Sequence, residues 1–164
     1  MFRAAAIVEE NKAGQYRSLA EQVSALLAGE RDPIANAANI CALLFDALPD
    51  VNWAGFYFLR DNRELVLGPF QGKPACVRIA IGRGVCGSAV AQRRSLLVAD
   101  VHAFPGHIAC DSASRSELVV PLMAGDDILG VIDLDSPSLS RFDSDDQAGI
   151  ENVATLYIAA SDRS

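Results

Sequence analysis

The sequence predicts an α+β domain: an antiparallel sheet of about six strands, with N- and C-terminal helices packed largely on one face. Two observations carry this. Apolar residues recur at helical spacing near both ends of the 164-residue chain, and between them the period shortens to β-rich runs broken by turn residues. A chain of this length buries a core without disulfide staples, so one domain over 1–164 is expected, with 1–14 as an N-terminal extension.

Taken in order, Tyr16, Leu19, Ala20, Val23, Leu26 and Leu27 give an amphipathic helix over about 15–28. Asp32 then reads as an N-cap with Pro33 at the first helical position, opening a second helix whose stripe carries Ile34, Ala37, Cys41, Leu44 and Leu48. Cys41 on that stripe is a small core residue. After Pro49 come strands at 52–59 and 64–70, joined as a hairpin by Arg60, Asp61, Asn62 and Arg63. Further strands are expected at 75–81, 95–99, 116–123 and 128–135, the last two made antiparallel neighbours by the AGDD turn. One short helix fits within 84–94, and Asp143 caps a final helix bearing Ile150, Val153, Ala154 and Tyr157.

Charge and composition narrow the function. The net charge of −7 argues against nucleic acid, because phosphate binding needs clustered Lys and Arg, and better suits a cationic or zwitterionic ligand. The N-terminal apolar patch is too short and too soon acidic for a signal sequence, and no later apolar run reaches membrane-spanning length. A cytoplasmic protein with no membrane partner is therefore expected. In that compartment the four cysteines point to chemistry before a disulfide framework.

Three candidate constellations follow. The longest segment without a clear period, 100–115, holds His102, His107 and Cys110, and Cys110 stands in the polar run GHIACDSASRSE, where a thiol stays accessible. With Asp111 these could offer four donors to zinc, but the spacing matches no standard paired-ligand pattern, and no metal is expected. GRGVCG lacks the Lys-Ser/Thr of a phosphate cradle, so Gly82, Gly84 and Gly87 read as turn residues. It places Cys86 near a helix start, where the dipole favours a thiolate. Cys110 competes as nucleophile through its loop setting and Arg115, and the local residues leave the two roles open. Finally, Glu117, Asp133 and Asp135 lie at strand ends, with Asp133 and Asp135 on one face; such acids are ordinarily solvated edge residues unless they converge near a thiol. Trp53 and Tyr57 also share a face, as core or as a pocket wall.

Together NWAGFYF, QGKPACVRIAIGRGVCGSAV, HIACDSASRSELVVP and GVIDLDSPSLSRF resemble the free methionine-R-sulfoxide reductases, single-domain enzymes of the GAF fold, over nearly the whole chain. Cys76, Cys86 and Cys110 all fall in the family's places; departures at Val77, Ser88, Arg115 and Leu134 are mild. The resemblance implies reduction of free L-methionine-(R)-S-oxide, with Cys110 as nucleophile, Cys86 as main resolving thiol and Cys76 as a second one. It further implies that Glu117, Asp133 and Asp135 hold the substrate ammonium, and that Trp53 and Tyr57 line the pocket around its methyl and sulfinyl end. Thioredoxin would supply electrons, with no bound metal, flavin or nicotinamide, and a homodimer is left open. The rival reading is a GAF-type sensor that holds a small molecule without altering it.

Overall fold

The computed structural model describes residues 4–5, 11–108 and 111–162. Ala109 and Cys110 lie outside the described residues, so the nucleophile implied by the resemblance is not among the positions described below.

The chain runs α1 (Lys12–Leu26), α2 (Pro33–Ala47), β1 (Trp53–Arg60), β2 (Glu64–Gly72), β3 (Arg78–Ala80), α3 (Gly84–Gln92), β4 (Leu96–Val98), β5 (Ser116–Ala124), β6 (Asp127–Ser136) and α4 (Ser144–Ala160). The strands form one sheet in the order β3-β2-β1-β6-β5-β4, each neighbouring pair antiparallel. Helix starts follow local chemistry. Asp32 accepts hydrogen bonds from the amides of Ile34 and Ala35 at 2.9 and 2.8 Å, and Asp143 forms a capping box with Asp146 at the start of α4. α1 begins three residues before the expected position because Asn11 caps it, its Oδ1 accepting from Gly14 N at 2.8 Å.

Alternation along the strands splits the apolar residues between the two sheet faces. Ala54 and Phe56 of β1, Leu118 and Val120 of β5, and Ile132 and Leu134 of β6 pack with residues of α1, α2 and α4. Their sequence neighbours Trp53, Tyr57, Val119 and Val131 pack on the other side with Val85, Cys86, Ala89 and Val90 of α3. Three helices thus cover one face as expected, and the short α3 stands alone on the other. Cys41 is buried on the three-helix side, its thiol donating to the Pro69 carbonyl at 3.2 Å, and burial pushes that thiol up to about 12.

β3 is shorter than the 75–81 expected. Its ladder with β2 covers only Arg78–Ala80; upstream, Val77 O still accepts from Leu67 N at 2.9 Å, and the Lys73 and Cys76 carbonyls bond to side chains of β1. Trp53 Nε1 donates to Lys73 O at 3.1 Å and Tyr57 Oη to Cys76 O at 2.9 Å. Among the described residues no helix is long and apolar enough to cross a membrane.

Candidate functional site

The site lies on the α3 side of the sheet, where strand register brings distant residues together. Trp53 on β1 is opposite Asp135 on β6, Gly55 is opposite Asp133, and Asp135 in turn faces Glu117 on β5. The Trp53, Glu117, Asp133 and Asp135 side chains point the same way, because paired residues share a face and each step along a strand flips it. Cys86, on the first turn of α3, closes over them, and the segment 73–75 with His107, Ile108, Asp111 and Ser114 forms the rim. Every described site residue expected from the sequence except Cys76 lines this one pocket. Cys76 packs beside it, half-buried, in the segment fixed by Trp53 and Tyr57.

The aromatic wall is continuous. Trp53 stacks on Tyr57 with ring centroids 5.8 Å apart and on Phe70 at 5.4 Å. Gly55 makes room for it: a Cβ there would sit 2.2 Å from the indole. Trp53 and Tyr57 are therefore both core and wall, and their polar tips hold the Cys76 segment against the sheet.

The floor is acidic. Glu117 and Asp133 are each 6% exposed, and Cys86 is 3% exposed. Burial, reinforced by Asp133 and Asp135, pushes the Glu117 carboxyl well above its usual range. Burial raises Asp133 to about 7 despite its hydrogen bonds with Cys86 and Glu117. Asp135 is likewise raised by burial, by Asp133 and by Asp111, with a hydrogen bond from Ser114 pulling the other way. The only cationic side chain lining the pocket among the described residues is Lys73, and its Nζ lies 3.3 Å from Asp111 Oδ2 at the rim.

These carboxylates overturn the expectation that a helix start makes Cys86 a ready thiolate. Burial, then Asp133 and Glu117, push its thiol well above the usual range, and Sγ lies 4.0 Å from Glu117 Oε1. A helix dipole worth at most about 2 kcal/mol cannot offset several nearby carboxyl groups in a dry site.

The glycine reading is refined. Gly82 and Gly84 adopt positive φ, as turn residues should, whereas Gly87 is helical and lets α3 approach β3: a Cβ there would meet Ala80 O at 2.3 Å. His107 reaches the pocket with Nε2 3.7 Å from Glu117 Oε2; burial, then His102, lower its pKa. His102 is exposed and does not line the pocket. The sequence reading missed Asn52, Lys73, Ser114 and Ile108. Asn52 Nδ2 donates to Ser114 Oγ at 3.3 Å, tying the start of β1 to the loop before β5. Only Lys73 had a local signal, as the charged residue in the KPAC run before a site thiol.

Residues 35–160 match the model of the GAF domain family. The chain is 52% identical to the free methionine-R-sulfoxide reductase of Escherichia coli over 87% of this chain and 86% of that one, and 54% identical to protein YtsP of Bacillus subtilis over 88% and 89%. Among solved structures, the free methionine-R-sulfoxide reductase of Neisseria meningitidis in complex with its substrate superposes with a TM-score of 0.93, at 42% identity, covering 98% of this chain and 95% of that one. A fold with its candidate site residues gathered on the α3 side of the sheet, and relatives at these identities across most of both chains, lead to one assignment: the chain belongs to the free methionine-R-sulfoxide reductase family of GAF-domain proteins.

Proposed function

We propose that this protein reduces free L-methionine-(R)-S-oxide to L-methionine in the cytoplasm, with thioredoxin as the source of electrons. The observation that carries the substrate assignment is the set of three carboxyl groups, Glu117 and Asp133 buried and Asp135 half-buried, in a pocket whose only described cationic lining residue, Lys73, is paired at the rim. Like charges held together out of water are costly, and a bound ammonium relieves that cost through charge-assisted hydrogen bonds. The aromatic wall of Trp53 and Tyr57 supplies an apolar surface for the methyl and sulfinyl end.

In this reading the Cys110 thiolate attacks the sulfoxide sulfur while the sulfoxide oxygen takes up a proton. Methionine leaves and Cys110 becomes a sulfenic acid. The Cys86 thiol, or Cys76, condenses with it, releasing water and forming a disulfide that an external dithiol reduces by exchange. A high thiol pKa suits Cys86 to this second role: it stays protonated while the first attack occurs. A ligand sensor, the rival function, would have no use for a thiol buried among carboxyl groups.

The test uses purified protein with dithiothreitol as sole reductant. Free methionine-(R)-sulfoxide is expected to turn over, and its N-acetyl form to be a very poor substrate, because it leaves the buried acids without a cation. Cys110→Ser is expected to release no methionine in a single turnover. Equal kcat/KM for the two substrates would sink the ammonium assignment, and methionine release by Cys110→Ser would sink the nucleophile.

A further inference from the structure

The donor groups on the pocket floor fit a second kind of ligand. One donor atom each from Cys86, Glu117 and Asp133 lie within 4.8 Å of one another, and all three residues are buried. Asp133 lines the pocket, 6% exposed, yet its Oδ1 has no hydrogen-bond partner among the described residues. A buried carboxylate oxygen without a partner is expensive, and here it belongs to the donor group itself. His107 Nε2 stands beside this group, 3.7 Å from Glu117 Oε2, whereas Cys86 Sγ lies nearest Glu117 Oε1.

We propose that the reduced pocket binds a thiophilic divalent cation of the zinc class, through Cys86 Sγ and one oxygen each of Glu117 and Asp133, with the fourth position left to water. Tetrahedral zinc at ordinary bond lengths separates sulfur from oxygen ligands by roughly 3.6 Å. The Cys86 Sγ–Glu117 Oε1 separation of 4.0 Å is within a few tenths of an ångström of that spacing. A thiolate with two carboxylate oxygens and an open fourth position selects zinc-like ions over magnesium or calcium, which require more oxygen ligands. On binding, the ion loses water and the Cys86 S–H loses its proton as the S–metal bond forms; no atom changes oxidation state. The ion occupies the carboxylates that an ammonium would use and sequesters the Cys86 thiol, so it competes with substrate and blocks disulfide formation. Metal binding itself does not depend on the reductase assignment.

The experiment titrates the full-length reduced protein, freed of reductant, with Co2+ as the probe. A thiolate-to-cobalt charge-transfer band with the visible bands of a tetrahedral ion is expected. Zn2+ should remove these bands at stoichiometric amounts, whereas excess Mg2+ should not. The bands should persist in a Cys76→Ser/Cys110→Ser double variant, disappear in Cys86→Ser, and require about tenfold or more Co2+ in Asp133→Asn. Absence of the charge-transfer band, its survival in Cys86→Ser, its loss in the double variant, or equal displacement by Mg2+ would overturn the site. Should Cys86→Ser fail to fold, peptide mapping of alkylation in the unmutated protein decides instead: Zn2+ must slow modification of Cys86, and no slowing overturns the proposal. None of these readings uses methionine sulfoxide, so loss of reductase activity and loss of metal binding remain separate outcomes.

Discussion

Asp133 shows what a single residue contributes and what it costs. Burial is the main reason its carboxyl is raised to about 7, and its hydrogen bonds with Cys86 and Glu117 only partly oppose that rise. The same group in an unfolded chain titrates near 3.9. Between these two values the folded protein holds more protons than the unfolded one, so stability is fully present below about pH 4 and is lost as pH rises through about 7. Glu117 and Asp135, also raised, act in the same direction. The melting temperature of the substrate-free protein is therefore expected to fall from pH 5 to pH 8. Asp133→Asn should raise it by several degrees at pH 8 and by much less at pH 5. An equal shift at both pH values, followed by differential scanning fluorimetry, would rule out this titration as the cause. The acids themselves were legible in the sequence, since a spacing of two places Asp133 and Asp135 on one face. The state of Cys86 was not: the helix start is local, but the carboxyl groups that outweigh it come from β5 and β6, with Glu117 31 residues away.

At the scale of elements, caps and periods in the sequence located the four α-helices and six strands of the described residues, because Asp32, Pro33, Asp143 and the turn residues act on their immediate neighbours. The anchoring of the segment before β3 was not legible, since it depends on Trp53 and Tyr57, some twenty residues earlier, holding the carbonyls of Lys73 and Cys76. α3 depends on a comparably close approach. Alanine is favoured over glycine inside a helix by about 1 kcal/mol. At Gly87, however, a Cβ would sit 2.3 Å from the backbone oxygen of Ala80, which cannot move without disturbing β3. Overpacking of this kind costs about 1–3 kcal/mol, so the clash outweighs the propensity. Gly87→Ala is expected to lower the urea midpoint and, by shifting the adjacent Cys86, to slow disulfide formation in a single turnover. A variant as stable as the original would show that α3 has room to spare.

On the scale of the whole molecule, the central pairing of β1 with β6 assembles the site, since it sets Trp53 opposite Asp135 and Gly55 opposite Asp133. The sequence marked the β1–β2 and β5–β6 hairpins through their turns but gave no local signal for this long-range pairing, which follows from burying both sheet faces at once. The result is a division between faces: α1, α2 and α4 pack on one side, and the pocket with α3 occupies the other. Ile150 tests that division. It is fully buried on α4 among the residues of the three-helix face, and it does not line the pocket. Ile150→Ala removes most of a buried side chain and should cost about 2–5 kcal/mol, because a close-packed core collapses only partly around the cavity. The sheet lies between that cavity and the carboxyl groups, and its backbone ladder is common to both faces. Below the unfolding transition the folded variant should therefore keep kcat/KM for methionine sulfoxide within about twofold, a difference of roughly 0.4 kcal/mol. Denaturation in urea and steady-state kinetics on the same preparation give the two numbers. A large loss of kcat/KM in protein shown to be folded would mean that the helical face positions the site and does not merely support it.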